Sequence, residues 1–218
     1  MNERDPHPGG EGMSRETPLP IAALLPGVAL VLILCACSLF WGARLNPFMN
    51  GIVPILYALL PFAAVLGSRR SLRVLGLVRQ RVLLDFSWGL VWGGFWRASS
   101  LAINAFYLIH VQLSGLDMRL AYVIVLIPWL EEIFFRGYLG RGLCVLLGRW
   151  PGILVQALAF TLLPAHWAQG MPHIAGIFIF GILSGWLVER KGSIWSALGA
   201  HSFANALPAL IAAWSQYL

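Results

Sequence analysis

Two adjacent carboxylates, Glu131 and Glu132, are followed four residues later by Arg136 inside an apolar run from about Leu120 to Leu147. A charged side chain at the centre of a bilayer costs about 2.5–3.5 kcal/mol even on the gentlest scale, so such groups are functional by default. In a helix, Glu132 and Arg136 share one face with the acid N-terminal, the favoured order for an ion pair. Glu131 stands about 100° round the helix and cannot share that pairing fully. The spacing therefore divides the labour: Glu132 with Arg136 as the structural pair, Glu131 as the free, reactive acid. The plainer alternative is a buried ion-pair cluster that only fixes helix packing.

Further polar groups sit in or at the ends of apolar stretches: His166, His173, and His201 with Asn205 four residues on. That last spacing puts both side chains on one helix face. A lone histidine in such a place is commonly a packed, hydrogen-bonded residue, but the set as a whole suits water activation. A carboxylate shielded from bulk water can act as general base near neutral pH. A histidine opposite can hold the water, and a second histidine with an asparagine offers two donors for a developing oxyanion. The implied reaction is amide hydrolysis without a covalent intermediate and without a cofactor. A zinc-bound version would draw its ligands from Glu131, His166 and His201 on separate helices, with no H-E-x-x-H run to support it.

The elements that must position these groups follow from composition. Of 218 residues, 59% are hydrophobic and 11% charged, against about 25% charged in a soluble domain, so the chain reads as an all-α, polytopic membrane protein. Residues 1–19 read as a disordered cytoplasmic tail, and 20–218 as one transmembrane domain of about seven helices. The expected spans are Ile21–Trp41, Phe48–Leu66, Val82–Leu108, Leu120–Leu147, Trp150–Trp167, His173–Val188 and Ile194–Trp214. Gly89 and Gly93 give the third span a small-residue face for close packing, and Gly181 and Gly185 do the same for the sixth. Between the second and third spans, Ser68 to Arg81 carries Arg69, Arg70, Arg73, Arg79 and Arg81 with no acid, and its leucine and valine spacing predicts a short amphipathic helix on the membrane surface. Cys35, Cys37 and Cys144 show no metal-ligand spacing and read as helix filler.

The sequence pI near 9.8 invites a nucleic-acid reading, but the basic residues lie in short loops between apolar runs, which is topology information. The tail, the 68–81 loop, Arg141, Arg149, Arg190 and Lys191 fall on one side, and Arg44 and Arg119 on the other. The positive-inside rule then places the N-terminus in the cytoplasm and the C-terminus outside. With one lysine among fifteen basic residues, the composition points to a bacterial inner membrane.

Three motifs taken in order resemble the CPBP family of intramembrane proteases, which contains the type II CAAX prenyl endopeptidases and the bacterial Abi proteins. They are E-E-x-x-x-R (Glu131, Glu132, Arg136, then Gly137), F-x-x-x-H with His166 as its counterpart, and H-x-x-x-N (His201, Asn205). The resemblance covers about residues 120–210, the expected catalytic core, and leaves the first three spans generic. It implies that Glu131 and His166 activate water, that His201 and Asn205 line an oxyanion hole, and that Arg136 orients the acids. Leu162 stands four before His166, where the family has phenylalanine, and the nearest phenylalanine is Phe160. Either the aromatic is replaced or the backbone is irregular near Pro164, with His173 as the alternative middle histidine. The function implied is a glutamate-dependent intramembrane endopeptidase acting on a membrane-anchored or lipidated protein or peptide. Two other classes use the same residues: a non-proteolytic scaffold or immunity protein retaining the fold, and a proton-coupled transporter, against which the absence of inverted repeats counts.

Overall fold

The computed structural model describes residues 17–41, 51–103, 121–163, 166 and 171–215. Among these there are seven helices and no strand. The all-α expectation holds, and the described helix bounds fall within a few residues of the expected spans except in the fifth, whose helix ends at Thr161 instead of Trp167. The tail up to residue 16, the loop arginines Arg44 and Arg119, and the outer end of the third span lie outside the described residues.

Helices α1 (Ile21–Trp41) and α2 (Ile52–Gly67) are apolar throughout, with Pro26 and Pro61 tolerated inside them. Helix α2 stops at Ser68, whose hydroxyl donates to the Ala64 carbonyl at 2.6 Å. The basic stretch that follows is not a surface amphipathic helix. It is a single 3₁₀ turn, Leu72–Leu75, capped by Ser71, whose hydroxyl accepts from the Arg73 N–H at 3.2 Å. Two constraints break the helix. Leu75 is fully buried against Gly137, where an added Cβ would stand 2.6 Å from the Leu75 carbonyl oxygen. Gly76 then adopts φ +76 and gives its carbonyl to the Ile194 N–H at 3.1 Å. The arginines remain exposed while the apolar residues plug the bundle.

Helix α3 (Val82–Ile103) packs along α7 (Trp195–Ser215) at backbone contact distance. A Cβ on Gly89 would meet the Ser196 carbonyl oxygen at 2.1 Å, and one on Gly93 the Ala200 carbonyl oxygen at 2.2 Å. The expected small-residue face is thus used, and the register shows that α3 and α7 run parallel. Helix α6 (Met171–Lys191) runs against them, joined by Trp92 to Trp186 and by Lys191 to Asp85 at 4.0 Å. Helix α5 (Arg149–Thr161) lies on α6, with Ala157 against Gly181.

Helix α4, residues 122–147, sits among α1, α2, α5, α6 and α7 and is irregular. It begins as a π turn, Tyr122–Leu126, becomes α-helical over Ile127–Glu131, is π again over Glu132–Gly140, and ends α-helical over Arg141–Leu147. Pro128 explains the first irregularity. The Ile127 N–H already bonds the Tyr122 carbonyl in the π register, so the Val123 carbonyl would need the N–H of residue 128, which proline lacks.

The polarity of the molecule is inverted relative to a water-soluble bundle. Leu83, Leu66, Phe95 and Leu32 point outward, each more than 60% exposed, while Glu132, Arg136, Gln156 and His201 are buried at the centre. By length and hydropathy, His173–Lys191 is long and apolar enough to cross a membrane, and Ile21–Cys37 and Ile52–Gly67 are shorter apolar helices.

Candidate active site

The site is built on the middle of α4, where the backbone passes from α to π register. A π turn closes residue i onto i+5, so a side chain four residues on stays on the same face. Arg136 Nη1 accordingly meets Glu132 Oε1 at 3.1 Å, with neither side chain exposed. The guanidinium lies over the Phe160 ring, 4.2 Å from its centroid, and 5.9 Å from that of Phe180. Aromatic faces replace water as the counter-surface for the buried cation.

His201, on the facing side of α7, stands between the two acids. Its Nδ1 bonds Glu132 Oε1 at 2.8 Å, and its Nε2 stands 3.7 Å from Glu131 Oε2. A carboxylate is an acceptor, so Nδ1 carries the proton and Nε2 is the atom turned towards Glu131. Edge contacts from Phe180 and Phe160, at 5.4 and 6.1 Å, hold the ring in place. The ordered row is Arg136, Glu132, His201, Glu131. Glu131 is the most open member, with 15% of its side chain exposed against 9% for His201 and none for Glu132 and Arg136.

Asn205 lies one turn beyond His201 and reaches another part of α4. Its Nδ2 donates to the Val123 carbonyl at 3.0 Å, the acceptor that Pro128 leaves without an N–H. A neighbouring helix re-satisfying a proline-freed carbonyl is the usual solution where water is excluded. One amide hydrogen is spent there and the second remains.

His166 enters from the end of α5. That helix stops at Thr161, and a turn carries the chain on, with the Leu163 N–H bonded to Phe160 O at 3.3 Å and the His166 N–H to Leu163 O at 3.0 Å. His166 Nδ1 bonds the Phe160 carbonyl at 2.9 Å, and the two rings meet edge to face at 4.8 Å. A carbonyl only accepts, so Nδ1 is protonated and Nε2 holds a lone pair. Phe160 therefore packs on His166 from six residues before it. The departure at Leu162 corresponds to a broken helix rather than a lost aromatic. His166 is within electrostatic reach of both His201 and His173. His173, at the start of α6, is half-buried near Arg97 and makes no hydrogen bond or ion pair among the described residues.

Sequence reasoning missed the Val123 carbonyl and the part played by Phe160 as a hub. Pro128, three residues before Glu131, was the available signal for the freed carbonyl. Among the described residues, no three His, Cys, Asp or Glu side chains converge as a metal ion would require, so Glu131, His166 and His201 do not form a ready ligand set.

A row of acid, histidine, acid and arginine is thus gathered inside an outwardly apolar helical bundle. Residues 113–207 match the family model described as type II CAAX prenyl endopeptidase Rce1-like, and the three motifs all lie within that stretch. That family is one of membrane-embedded peptidases acting on membrane-anchored proteins. No curated protein and no solved structure matches the chain.

Proposed function

We propose that the protein is a glutamate-dependent intramembrane endopeptidase that hydrolyses a peptide bond in a membrane-anchored or lipidated protein or peptide. Glu131 is the general base, and the lone pair on His166 Nε2 takes a second hydrogen of the attacking water. The remaining Asn205 amide hydrogen faces the developing oxyanion, and His201, its ring fixed by Glu132, joins it as a donor when Nε2 also carries a proton. Glu132 and Arg136 hold this arrangement without touching substrate. The observation that carries the reading is the asymmetry of the acid pair. Glu132 is closed off by Arg136 and His201, whereas Glu131 is the partly open acid of the row, in the stretch that matches a peptidase family.

The apolar outer faces support a bundle of about seven spans in lipid. The parallel course of α3 and α7 fits an even number of turns between them, and the charge bias of the loops then favours an N-terminus in the bacterial cytoplasm and a C-terminus outside. The test is a comparison of protein termini in membranes of cells carrying wild type or Glu131→Ala. New termini seen only with wild type are expected. Identical termini, with both proteins folded and expressed, would overturn the peptidase reading in favour of a scaffold or immunity protein, for which Glu131→Gln leaves the phenotype intact.

A further inference from the structure

Tyr57 lies on α2, 2% exposed, in a part of the chain to which no functional residue has been assigned. Its hydroxyl has no hydrogen-bond partner among the described residues. A buried hydroxyl left so destabilises a fold, and phenylalanine would fill the same volume without that penalty. The ring itself is held firmly, stacked on Phe134 at 4.6 Å and meeting Phe135 edge-on at 5.4 Å. Those two residues follow Glu131 by three and four positions, so they share its side of α4. Phe135 continues to Phe160 at 5.2 Å, and Phe160 to His166. The phenol is within electrostatic reach of both Glu131 and Cys35, and the Cys35 thiol lies 3.7 Å from the Leu162 carbonyl in the turn that presents His166. A series of ring contacts thus runs from Tyr57 through Phe135 and Phe160 to His166, and α2, which carries Tyr57, packs against the Glu131 segment of α4.

We propose that Tyr57 is a catalytic residue whose hydroxyl holds the attacking water between Glu131 and His166. The proposal rests on the peptidase reading above. A buried water needs two to four polar partners. Here it donates one hydrogen to the Glu131 carboxylate and one to His166 Nε2, and accepts one from the Tyr57 O–H. One lone pair is left for the scissile carbon. As the new C–O bond forms, Glu131 takes the water's proton and returns it to the leaving amine while the C–N bond breaks. Tyr57 keeps its own proton throughout. The firm aromatic seat limits the positions open to the oxygen, and misplacement of a reacting group by about 1 Å can cost about 10²-fold in rate.

The experiment uses full-length wild type, Tyr57→Phe and Glu131→Ala. Wild-type-dependent termini identify the cut sequence, which is then supplied as an internally quenched peptide to each purified protein in phospholipid vesicles. Tyr57→Phe is expected to lower kcat about 10²-fold with KM within about twofold, and to leave the thermal midpoint unchanged or higher. A kcat within about threefold of wild type, with Glu131→Ala inactive, overturns the role of Tyr57 and leaves the peptidase reading standing. So does a thermal midpoint lowered by several degrees, which would make the hydroxyl a structural group. No wild-type-dependent terminus, or full activity in Glu131→Ala, overturns the peptidase reading and this inference with it.

Discussion

Glu131 and Glu132 are chain neighbours, yet the two sides of α4 on which they stand are built to different rules. On the Glu132 side the charges are paired and shut away from solvent, although Glu132 Oε2 and the Arg136 nitrogens make no hydrogen bond among the described residues. One oxygen receives both Arg136 and His201, the guanidinium rests on Phe160, and neither Glu132 nor Arg136 is exposed. On the Glu131 side the His201 Nε2 is 3.7 Å away, a buried phenol makes no hydrogen bond among the described residues, and part of the carboxylate is open. A buried charge paired with its neighbour and closed to solvent is held and does nothing further. An acid beside it with part of its carboxylate open can still meet a reactant. The contrast separates scaffold from chemistry within two residues, and it holds only if the two acids fail differently when changed.

The largest effect expected is on rate. Glu131→Ala should lower cleavage on the order of 10⁴-fold, about 5.5 kcal/mol of barrier, with little change in the thermal midpoint measured in detergent. A comparable loss of stability would erase the distinction. Next comes Arg136→Met, which strands Glu132 inside the bundle. Breaking one half of a buried pair costs about 3–5 kcal/mol, so the variant should express poorly and unfold early. Asn205→Ala leaves the Val123 carbonyl unbonded and should cost about 1–3 kcal/mol, read as a lowered midpoint. It should also slow cleavage, since Asn205 both ties α7 to α4 and faces the oxyanion. A loss of rate with stability untouched would leave the second role alone. The smallest effect falls outside the centre. Lys191 meets Asp85 at 4.0 Å with a quarter of its side chain exposed, so Lys191→Ala should cost about 1 kcal/mol or less. A larger loss would mean that the end of the bundle carries stability now attributed to its middle.

The pairing of Glu132 with Arg136 was legible in the sequence because it is local. Four residues along one helix face fix it whether the backbone is α or π. The same is true of His201 and Asn205 sharing a face, and of Gly89 and Gly93 marking a surface that another backbone must approach. Helix positions were legible because long apolar runs bounded by charge allow few other readings. The 68–81 stretch was misread because its leucine and valine spacing suits an amphipathic helix. Its apolar residues instead found a place inside the bundle, against Gly137.

The rest required the helices to meet. His201 was expected only among the oxyanion donors; its bond to Glu132 joins residues 69 positions apart. The packing of Phe160 on His166 depends on a helix that ends early, which no motif spacing contains. Tyr57 belongs to a span that reads as generic, and only the packing of α2 on α4 stacks its ring on Phe134 and sets it within electrostatic reach of Glu131. By itself, the sequence determined which residues could do chemistry and which share a helix face, because those relations repeat with the backbone. Tertiary structure decided which acid is sealed and which is open, because that depends on side chains brought in from other helices.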